Sequence, residues 1–429
     1  MLTAAFYTFG CRLNQTETAM MAKGLENDGY QIVQDVDSAD LCVINTCTVT
    51  NQSDAKCLQK IRSIKRENPE AVVAVVGCYS QISPDKIVEM EGIDLIIGNE
   101  EKLQLANFVR EFLAEGKPII RTGPISKGPF KIQSIGQHLQ TTRANLKIQD
   151  GCDFICSFCI IPKARGRARS REIDNIREEA RMLSAMGVKE VILTGVNIGT
   201  FQADDIGFIE LLDLFESIEG IQRIRISSIE PTTIGVEIFP LMSATDKKGV
   251  PHLHLPLQSA NDTILNTMRR KYQFSDFGDF VKAAVAKVPR ICIGSDVIVG
   301  FPGETDEMFE ETVHRLQNTP IHYFHVFPYA EREGTSSARM NGSIDQTTIN
   351  KRAGVLRKLS EQKRSDFYRS FIGQDFEVLF EGNNKGSIWN GYSENYIRFS
   401  VHCDESLANQ IRKVRLVSVK DGLATGSLV

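Results

Sequence analysis

Three cysteines in the middle of the sequence are spaced closely enough to share one metal centre. Cys152, Cys156 and Cys159 lie in the segment GCDFICSFC, directly after an apolar run typical of a β-strand. A 4Fe–4S cluster usually takes four cysteine thiolates, so three in one loop leave one iron free to bind another molecule. The alternative is a structural zinc site, which needs a fourth ligand, and no further Cys or His lies close to this loop in the sequence. The spacing therefore favours a reactive iron–sulfur cluster.

Three further cysteines each follow a short apolar run in the first third of the chain. The runs AAFYTF, DLCVIN and AVVAVV precede Cys11, Cys47 and Cys78, and a helix-like stretch follows each run. Alternating strands and helices predict a parallel sheet with helices on both faces. Ligands of such sheets bind outside the carboxyl ends of the strands. We therefore expect these three cysteines to meet at one point, although they are far apart in the sequence.

The whole chain is predicted to be an α/β protein of three units. Residues 1–122 form the parallel sheet unit, and residues 123–142 contain Gly and Pro without clear periodicity, which indicates a linker. Residues 143–369 hold six apolar strand candidates separated by helical stretches, which predict a partial (β/α)6 barrel with its chemistry on the loops after the strands. Residues 370–429 alternate apolar and polar residues between Gly and Asn turns, which predicts a small antiparallel β-barrel.

Composition places the chain in a reducing compartment. The N-terminus lacks the basic and apolar regions of a signal peptide, and no apolar run reaches the length of about 18 residues that spans a membrane. The sequence contains ten cysteines, which in such a compartment are more often ligands or core residues than disulfides. A net charge of −4 argues against a protein that coats nucleic acid non-specifically. We expect a cytoplasmic protein without a membrane partner, and the sequence leaves the oligomeric state open.

The remaining cysteines and two histidines are predicted to be structural. Four cysteines lie inside strand-like or helix-like runs, where such residues usually pack: Cys42, Cys57, Cys292 and Cys403. His252 and His254 alternate on a strand and project from the same side. A His-x-His pair can bind metal, but no carboxylate or further His lies nearby in the sequence, so residues lining the barrel are the favoured interpretation.

Polar residues and glycines at the ends of the barrel strands are candidates for binding a small molecule. A glycine there lets the backbone approach a ligand closely, an asparagine offers both a donor and an acceptor, and a carboxylate accepts hydrogen bonds from a ribose. A plain turn or a helix-capping charge is the alternative interpretation for each of them. The candidates are Gly195, Asn197, Ser228, Glu230, Gln258 and Asp296.

Basic residues cluster in four places where an anion could be held. The first cluster follows the cysteine loop and is Lys163, Arg165, Arg167, Arg169 and Arg171; the second is Arg269, Arg270 and Lys271. In the C-terminal unit, Arg412, Lys413 and Arg415, with the basic helix before that unit, are the favoured phosphate contacts. Tyr392, Tyr396 and Phe399 either stack on bases or belong to the core of the small barrel.

With these features in view, the chain resembles the methylthiotransferases of the radical S-adenosylmethionine superfamily. The three-then-two spacing of the central cysteines, with Phe158 before the last one, is the motif of that superfamily. Further similar segments run through the whole chain: TFGCRLNQTE, INTCTVT, ILTGVNIGT, HLHLPLQS, MRRKY, DVIVGFPGET and HVFPYAEREGT. The residues GCRLN around Cys11 are similar to the subgroup that modifies N6-threonylcarbamoyladenosine in tRNA. Ala260 and Ala330 depart from the family pattern, where Gly and Ser are expected, without affecting the cysteines.

This resemblance implies a complete reaction. The central cysteines would hold a 4Fe–4S cluster that cleaves S-adenosylmethionine to a radical, with the six strand-end candidates near that cofactor. Cys11, Cys47 and Cys78 would hold a second 4Fe–4S cluster that carries the sulfur. Two S-adenosylmethionine molecules would be used, and a methylthio group would be inserted at C2 of adenosine 37 next to the anticodon of a tRNA. The resemblance also implies a C-terminal RNA-binding barrel of the TRAM type and an electron donor such as flavodoxin or ferredoxin.

Three alternative functions remain open at this point. The same cysteines would serve a methylthiotransferase acting on isopentenyladenosine in tRNA, or one acting on an aspartate of a ribosomal protein. An iron–sulfur RNA-binding protein that senses redox state without turnover is the third. Only the product separates the first two from the function stated above, and the third would form no 5′-deoxyadenosine.

Overall fold

A six-stranded parallel sheet begins the computed structural model, which describes residues 1–34, 39–132, 142–244 and 246–429. The strand order is β2-β1-β3-β4-β5-β6. The strands are β1 (Thr3–Thr8), β2 (Gln31–Val33), β3 (Leu41–Thr46), β4 (Val72–Gly77), β5 (Leu95–Ile97) and β6 (Ile119–Arg121). The helices of this unit are α1 (Arg12–Asn27), α2 (Asn51–Glu67), α3 (Cys78–Ile82), α4 (Pro84–Val88) and α5 (Leu105–Glu115).

The three strands predicted for this sheet are its central strands β1, β3 and β4. All six residues of β3 are buried, because helices cover both faces of a parallel sheet. The prediction missed β2, β5 and β6, since strands of three residues are too short to show a period. The segment SPDKIVEME, predicted as one helix, contains only the short helix α4, which α3 precedes.

The central part of the chain contains all six predicted barrel strands. Its strands are β7 (Arg143–Lys147), β8 (Gln149–Asp150), β9 (Arg169–Ser170), β10 (Glu190–Thr194), β11 (Gln202–Ala203), β12 (Ile206–Gly207), β13 (Arg223–Ile226), β14 (His252–Gln258), β15 (Cys292–Val299) and β16 (Tyr323–Pro328). Parallel pairing joins β7, β10 and β13 in one sheet and β14, β15 and β16 in another. Single bridges from Ile224 to Gly249 and from Ser228 to His254 connect the two sheets into a partial barrel.

Helices surround this partial barrel and fill the space outside its strands. They are α6 (Ile161–Arg165), α7 (Ile173–Ala185), α8 (Phe208–Glu216), α9 (Ile238–Ser243), α10 (Asp262–Thr267), α11 (Phe274–Lys287), α12 (Asp306–Asn318) and α13 (Gln346–Arg369). The apolar faces of the longer helices and the strands form the largest hydrophobic core of the chain. In the described residues, no helix combines the length and the apolar character that crossing a membrane requires.

Part of the predicted linker at residues 123–142 lies on the barrel. The backbone N–H of Phe130 donates to the carbonyl of Ser170 at 3.1 Å, and the N–H of Ile132 donates to the Asn175 side chain at 2.8 Å. Residues 133–141 lie outside the described residues. The domain boundaries given from the sequence therefore stay a prediction.

The last unit is a closed barrel of five strands in the order β17-β18-β19-β21-β20. The strands are β17 (Asp375–Lys385), β18 (Ile388–Ser393), β19 (Arg398–His402), β20 (Ile411–Lys420) and β21 (Leu423–Leu428). Four of the five pairings are antiparallel, as predicted. The pairing of β19 with β21 is parallel and closes the barrel, which the sequence pattern did not indicate.

Arginines of the central barrel attach the C-terminal barrel. Arg223 donates to the carbonyl of Glu377 at 2.7 Å, and Arg225 donates to the carbonyl of Ser393 at 3.2 Å. The Arg225 guanidinium also pairs with the buried carboxylate of Glu190, at 2.7 Å between Nε and Oε1. Because these arginines donate to backbone carbonyls, they fix the position of the C-terminal barrel whatever side chains that barrel carries at the accepting residues.

A buried group of charges, which we call the Glu17 network, joins the first sheet unit to the central barrel. Glu17 of α1 accepts hydrogen bonds from Lys102 at 2.5 Å, from Lys147 at 2.8 Å and from Arg165 at 2.9 Å. Asp150 accepts from Lys147 at 2.6 Å and from Arg165 at 3.0 Å. At most 5% of any of these five side chains is exposed. The two units are therefore held together by ion pairs that water does not screen.

The charges in the Glu17 network depend on one another. Burial alone would raise the pKa of Glu17, but the positive charges of Arg165, Lys102 and Lys147 outweigh burial and hold it well below its usual range. Removing one partner from such a group leaves buried charges without compensation, which is strongly destabilising.

Replacing Glu17 by Gln is therefore expected to destabilise the protein by roughly 3–5 kcal/mol, because three buried cations lose a common carboxylate. The thermal unfolding midpoint measures this effect. A matched control is Glu67→Gln, since Glu67 forms an exposed ion pair with Arg66, and its midpoint should not change. An unchanged midpoint for Glu17→Gln would contradict a structural role for the network.

Candidate functional site

The loop after β8 brings Cys152, Cys156 and Cys159 together. The N–H of Cys159 donates to the carbonyl of Cys156 at 3.1 Å, which folds the loop into a tight turn. Gly151, directly before it, has φ +69°, and a Cβ there would lie 2.0 Å from the carbonyl oxygen of Arg167, so only glycine fits. Burial raises the pKa of Cys159 to about 12 and also raises that of Cys152.

Polar side chains from neighbouring strand ends reach this loop. The Nδ2 atom of Asn197 lies 4.0 Å from the sulfur of Cys152, and a guanidinium nitrogen of Arg270 lies 3.4 Å from the sulfur of Cys156. Arg270 also forms an ion pair with Glu230. The side-chain oxygen of Gln149 accepts from the N–H groups of Val196 and Asn197 at 2.9 and 2.8 Å, which fixes that segment beside the cysteine loop.

Cys11, Cys47 and Cys78 meet at the carboxyl ends of β1, β3 and β4, as their positions in the sequence predicted. These strands are neighbours in the sheet, so the residues that follow them are neighbours too. Gly10 has φ +97° and lies so close that a Cβ on it would be 2.7 Å from the sulfur of Cys47. The pKa of Cys47 is raised to about 12, mainly by burial and in smaller part by the neighbouring thiols of Cys78 and Cys11.

Positive charge of the Glu17 network lies beside Cys78. Asn99 donates to the sulfur of Cys78 at 3.4 Å and to the carbonyl of Ala164 at 2.7 Å, and its own side-chain oxygen accepts from Lys102 at 2.8 Å. The network contains three cations and two carboxylates, so one positive charge is in excess there. That excess favours a negatively charged group at the neighbouring thiols.

Both cysteine groups fit an iron–sulfur cluster by the chemistry of their donors. Each offers three thiols at one point and has a cation nearby, Arg270 for the first group and Lys102 for the second. A cluster bound by three thiolates is anionic, and a buried cation compensates that charge. Cys57, predicted to be a packing residue, lies behind the second group, where its sulfur accepts from the N–H of Cys47 and its side chain is fully buried.

A cavity of about 950 Å³ connects the three units of the chain. Cys11 lines it from the first sheet, Gly195 and His254 line it from the central barrel, and Tyr396 lines it from the C-terminal barrel. The segment from Gly195 to Asn197 runs from this cavity to the sulfur of Cys152. Cys11 of the second group thus lines the cavity directly, whereas the central group lies behind the strand end that carries Gly195 and Asn197.

Five of the six strand-end candidates lie in two places. Gly195, Ser228 and Asp296 line the cavity, whereas Asn197 and Glu230 lie beside the central cysteine loop, the latter through Arg270. Gln258 ends β14 with φ +72° after a register shift. The roles assigned to these residues stay predictions.

His254 has three polar neighbours that sequence reasoning missed, and its Nδ1 atom lies 2.9 Å from the hydroxyl of Ser228. Its Nε2 atom lies 3.4 Å from Asp296, and one ligand atom each of His254, Asp296 and His325 lie within 4.8 Å of one another. The carboxylate and the second imidazole come from β15 and β16, which pair in parallel so that Asp296 faces His325. Burial raises the pKa of Asp296 to about 6 and lowers that of His254 to about 4.

Tyr392 and Tyr396 line the cavity rather than the core of the small barrel. Their rings stack with centroids 5.0 Å apart, and the hydroxyl of Tyr396 accepts a hydrogen bond from Arg12. Burial would raise the pKa of Tyr396, but the charges of Arg12, Arg143 and Arg225 outweigh it and lower the pKa. Phe399, grouped with these tyrosines in the prediction, belongs to the barrel core.

Three of the four arginines in the basic run after the cysteine loop, Arg165, Arg169 and Arg171, are largely buried in ion pairs. Arg165 belongs to the Glu17 network, and Arg171 forms a buried ion pair with Glu179. Arg169 pairs with Glu100 at 2.8 Å, and the exposed Arg167 pairs with Asp153 at 3.0 Å. In the C-terminal barrel, Lys413 and Arg415 similarly share Asp375.

Comparison with known proteins agrees with this arrangement. A model of the uncharacterized protein family UPF0004 matches residues 3–98, and a model of the radical SAM superfamily matches residues 146–316. The threonylcarbamoyladenosine tRNA methylthiotransferase MtaB of Bacillus subtilis is 37% identical over 425 residues, covering 97% of this chain and 94% of that protein. The tRNA-2-methylthio-N(6)-dimethylallyladenosine synthase of Syntrophus aciditrophicus is 34% identical over 389 residues, covering 88% and 83%.

Solved structures agree with the fold alone. The radical S-adenosylmethionine methyltransferase TsrM of Kitasatospora setae has a TM-score of 0.57 at 16% identity, covering 76% of this chain and 75% of that one. Because the relatives at 37% and 34% identity match nearly the whole chain, the family is settled by them. The chain belongs to the radical S-adenosylmethionine methylthiotransferases.

Proposed function

We propose that this protein adds a methylthio group to C2 of N6-threonylcarbamoyladenosine at position 37 of a tRNA, using two 4Fe–4S clusters and two S-adenosylmethionine molecules. The observation that carries this proposal is the shared cavity. It is lined by Cys11 and by Gly195, and two residues after Gly195 the Nδ2 atom of Asn197 lies 4.0 Å from the sulfur of Cys152. A base bound in the cavity would thus contact the Cys11 side of one cysteine group and the strand end that leads to the other. The substrate follows the relatives named for threonylcarbamoyladenosine.

In this proposal, Cys152, Cys156 and Cys159 hold the cluster that binds S-adenosylmethionine. The bound cluster and cofactor supply a carbon radical for the reaction at C2. Arg270, fixed by Glu230, places a positive charge beside Cys156. The side-chain oxygen of Asn197 is buried without a hydrogen-bond partner among the described residues, so it is free to accept from a cofactor amino group or ribose hydroxyl.

The second cluster in the proposal is held by Cys11, Cys47 and Cys78. Asn99 donates to the sulfur of Cys78 at 3.4 Å, and the Glu17 network supplies the compensating positive charge. Cys11 is the exposed member of this group and lines the cavity. The side of the cluster that faces the substrate is therefore the side of Cys11.

Two observations support RNA as the substrate class. The C-terminal unit is a small closed barrel, and its stacked pair Tyr392 and Tyr396 lies at the cavity, where an unstacked base can pack on aromatic rings. On the outer surface of the same barrel, the side chain of Arg412 donates to Gln410 at 3.2 Å and forms no ion pair among the described residues. It is thus available to a phosphate.

Replacing Cys11, Cys47 and Cys78 by Ala tests the assignment of the second cluster. Anaerobically reconstituted protein should carry about eight irons per chain, and the triple variant about four. The variant should still cleave S-adenosylmethionine to 5′-deoxyadenosine, because the central cysteines are unchanged. Iron analysis and chromatography of the nucleoside measure the two results.

The matched control is Cys57→Ala, because Cys57 is a buried cysteine beside the same group but is not a proposed ligand. It should keep the full iron content. Full iron content in the triple variant, or loss of iron in Cys57→Ala with the protein folded, would contradict the ligand assignment.

Nucleoside mass spectrometry tests the reaction and its substrate. The protein is expressed in a host without methylthiotransferases of its own, and its tRNA is compared with that of the host alone. We expect 2-methylthio-N6-threonylcarbamoyladenosine to appear only with the protein. A Cys152→Ala variant serves as the inactive control.

The other products distinguish the remaining functions. If the methylthio group appears on isopentenyladenosine, the reaction stands and the substrate is wrong, in agreement with the dimethylallyladenosine relatives. If neither nucleoside appears with both clusters loaded, a ribosomal-protein target replaces the proposal.

A further inference from the structure

Three arginines line the cavity, and none has an acidic partner within 4.0 Å among the described residues. They are Arg12 from the first sheet unit, Arg364 from α13 and Arg398 from the C-terminal barrel. By contrast, most other partly or fully buried arginines of the chain are paired, such as Arg165 and Arg352. Unpaired guanidinium groups that face a cavity mark a place for an anion.

Arg12 is the best placed of the three for the reaction. It directly follows Cys11 at the start of α1, and the one side-chain hydrogen bond described for it goes to the hydroxyl of Tyr396. That neutral partner holds the guanidinium at the cavity wall without cancelling its charge. An anion bound by Arg12 therefore lies next to the Cys11 side of the proposed second cluster.

Arg364 faces the same part of the cavity from another element. Its Nε atom is buried and has no hydrogen-bond partner among the described residues, and its guanidinium packs beside Gly422, where a Cβ would lie 2.8 Å from Nη2. Arg12, Arg364 and His325 all line this cavity. Burial and His254 are the main causes of the lowered pKa of His325, and the charges of Arg364 and Arg12 also lower it.

The cavity also has carboxylates, which limit where an anion can lie. Asp296 is held near His254 on the barrel side, at 3.4 Å, and Asp421 lies at the exposed end of the lining. Neither forms an ion pair with Arg12 or Arg364 in the described chain. The arginine side of the cavity is therefore the side open to an anion.

We propose that Arg12 and Arg364 form a subsite that binds the carboxylate of the threonylcarbamoyl group, and that this subsite selects the substrate. The inference rests on the proposed function and specifies how its substrate is recognised. In adenine, C2 and C6 are the two neighbours of N1, so a group on N6 lies along the same ring edge as the C2 that is modified. A carboxylate on that group falls beside the residue that follows Cys11.

The proposal explains a difference between substrates. An isopentenyl group at N6 carries no charge, so it would leave two partly buried arginines without an anion, and a guanidinium fork matches a carboxylate in geometry. A charge-assisted pair of this kind contributes roughly tenfold to a hundredfold in affinity. The protein is therefore expected to distinguish threonylcarbamoyladenosine from isopentenyladenosine when the RNA binds, before any chemical step.

Binding of RNA stem-loops to the cluster-loaded, full-length protein tests the subsite. Three stem-loops are compared by fluorescence anisotropy: one with threonylcarbamoyladenosine, one with its methyl ester and one with unmodified adenosine. The wild-type protein should bind the free acid about tenfold or more tightly than the ester. Arg12→Gln and Arg364→Gln should each reduce this ratio severalfold, and the double variant should bring it close to one.

Two control variants separate charge from general damage. Arg357→Gln changes an exposed arginine of the same helix as Arg364 that does not line the cavity, so it should leave the acid-to-ester ratio unchanged. Arg12→Lys keeps the charge and should keep most of the ratio. Iron content, measured for every variant, shows that the protein is intact.

Equal affinity of the wild-type protein for acid and ester would overturn the subsite. So would an Arg12→Gln variant that weakens all three stem-loops equally, since that result assigns the arginine to an RNA phosphate. If either of these binding results is found and the wild-type protein still methylthiolates threonylcarbamoyladenosine, the subsite fails and the proposed function stands. Conversion of isopentenyladenosine alone would instead overturn the proposed function.

Discussion

The buried charges around Glu17 are the constraint on which the rest of the structure depends. Glu17 follows Cys11 on α1, Asp150 precedes Cys152, and Arg165 follows Cys159. The ion pairs among them therefore set the distance between the two groups of cysteines, since each partner lies within a few residues of one group. Taking such charges out of water is costly unless every partner is present, so the two units have one docked arrangement in which the network is satisfied.

The same arrangement creates the cavity from all three parts of the chain. The first sheet supplies Cys11, the partial barrel supplies the ends of its parallel strands, and the C-terminal barrel supplies Tyr392 and Tyr396. Arg225 links these last two parts, because it pairs with Glu190 and also donates to the backbone at Ser393. Under the proposed function, the C-terminal barrel thus contributes to the substrate pocket as well as to RNA binding.

The cysteine positions could be predicted from the sequence where reactive residues directly follow an apolar run typical of a strand. The central cysteine loop and the strand-end positions of Cys11, Cys47 and Cys78 could be predicted, because buried parallel strands are continuous apolar runs whose ends share one edge of a sheet. The six barrel strands could be predicted for the same reason. Three glycines, Gly10, Gly77 and Gly151, directly precede cysteines and have positive φ, so a glycine before each of these cysteines is a further signal in the sequence.

Contacts between distant segments could not be predicted. Glu17 is separated from Arg165 by 148 positions, and a single sequence carries no record of such a pairing. The pairing of Arg165, Arg169 and Arg171 with acids was therefore not visible in the basic run, because those acids lie elsewhere in the sequence. His254 likewise lacked a visible partner, since Asp296 and His325 reach it only through the register of parallel strands.

The position of iron in the reconstituted protein is the most direct test of the central claim that two clusters flank one cavity. Anomalous diffraction at the iron absorption edge locates each cluster without assuming its ligands. The account predicts two peaks per chain, one at Cys11, Cys47 and Cys78 and one at Cys152, Cys156 and Cys159. A single peak at the central cysteines of fully reconstituted protein, or a second peak away from Cys11, would contradict it.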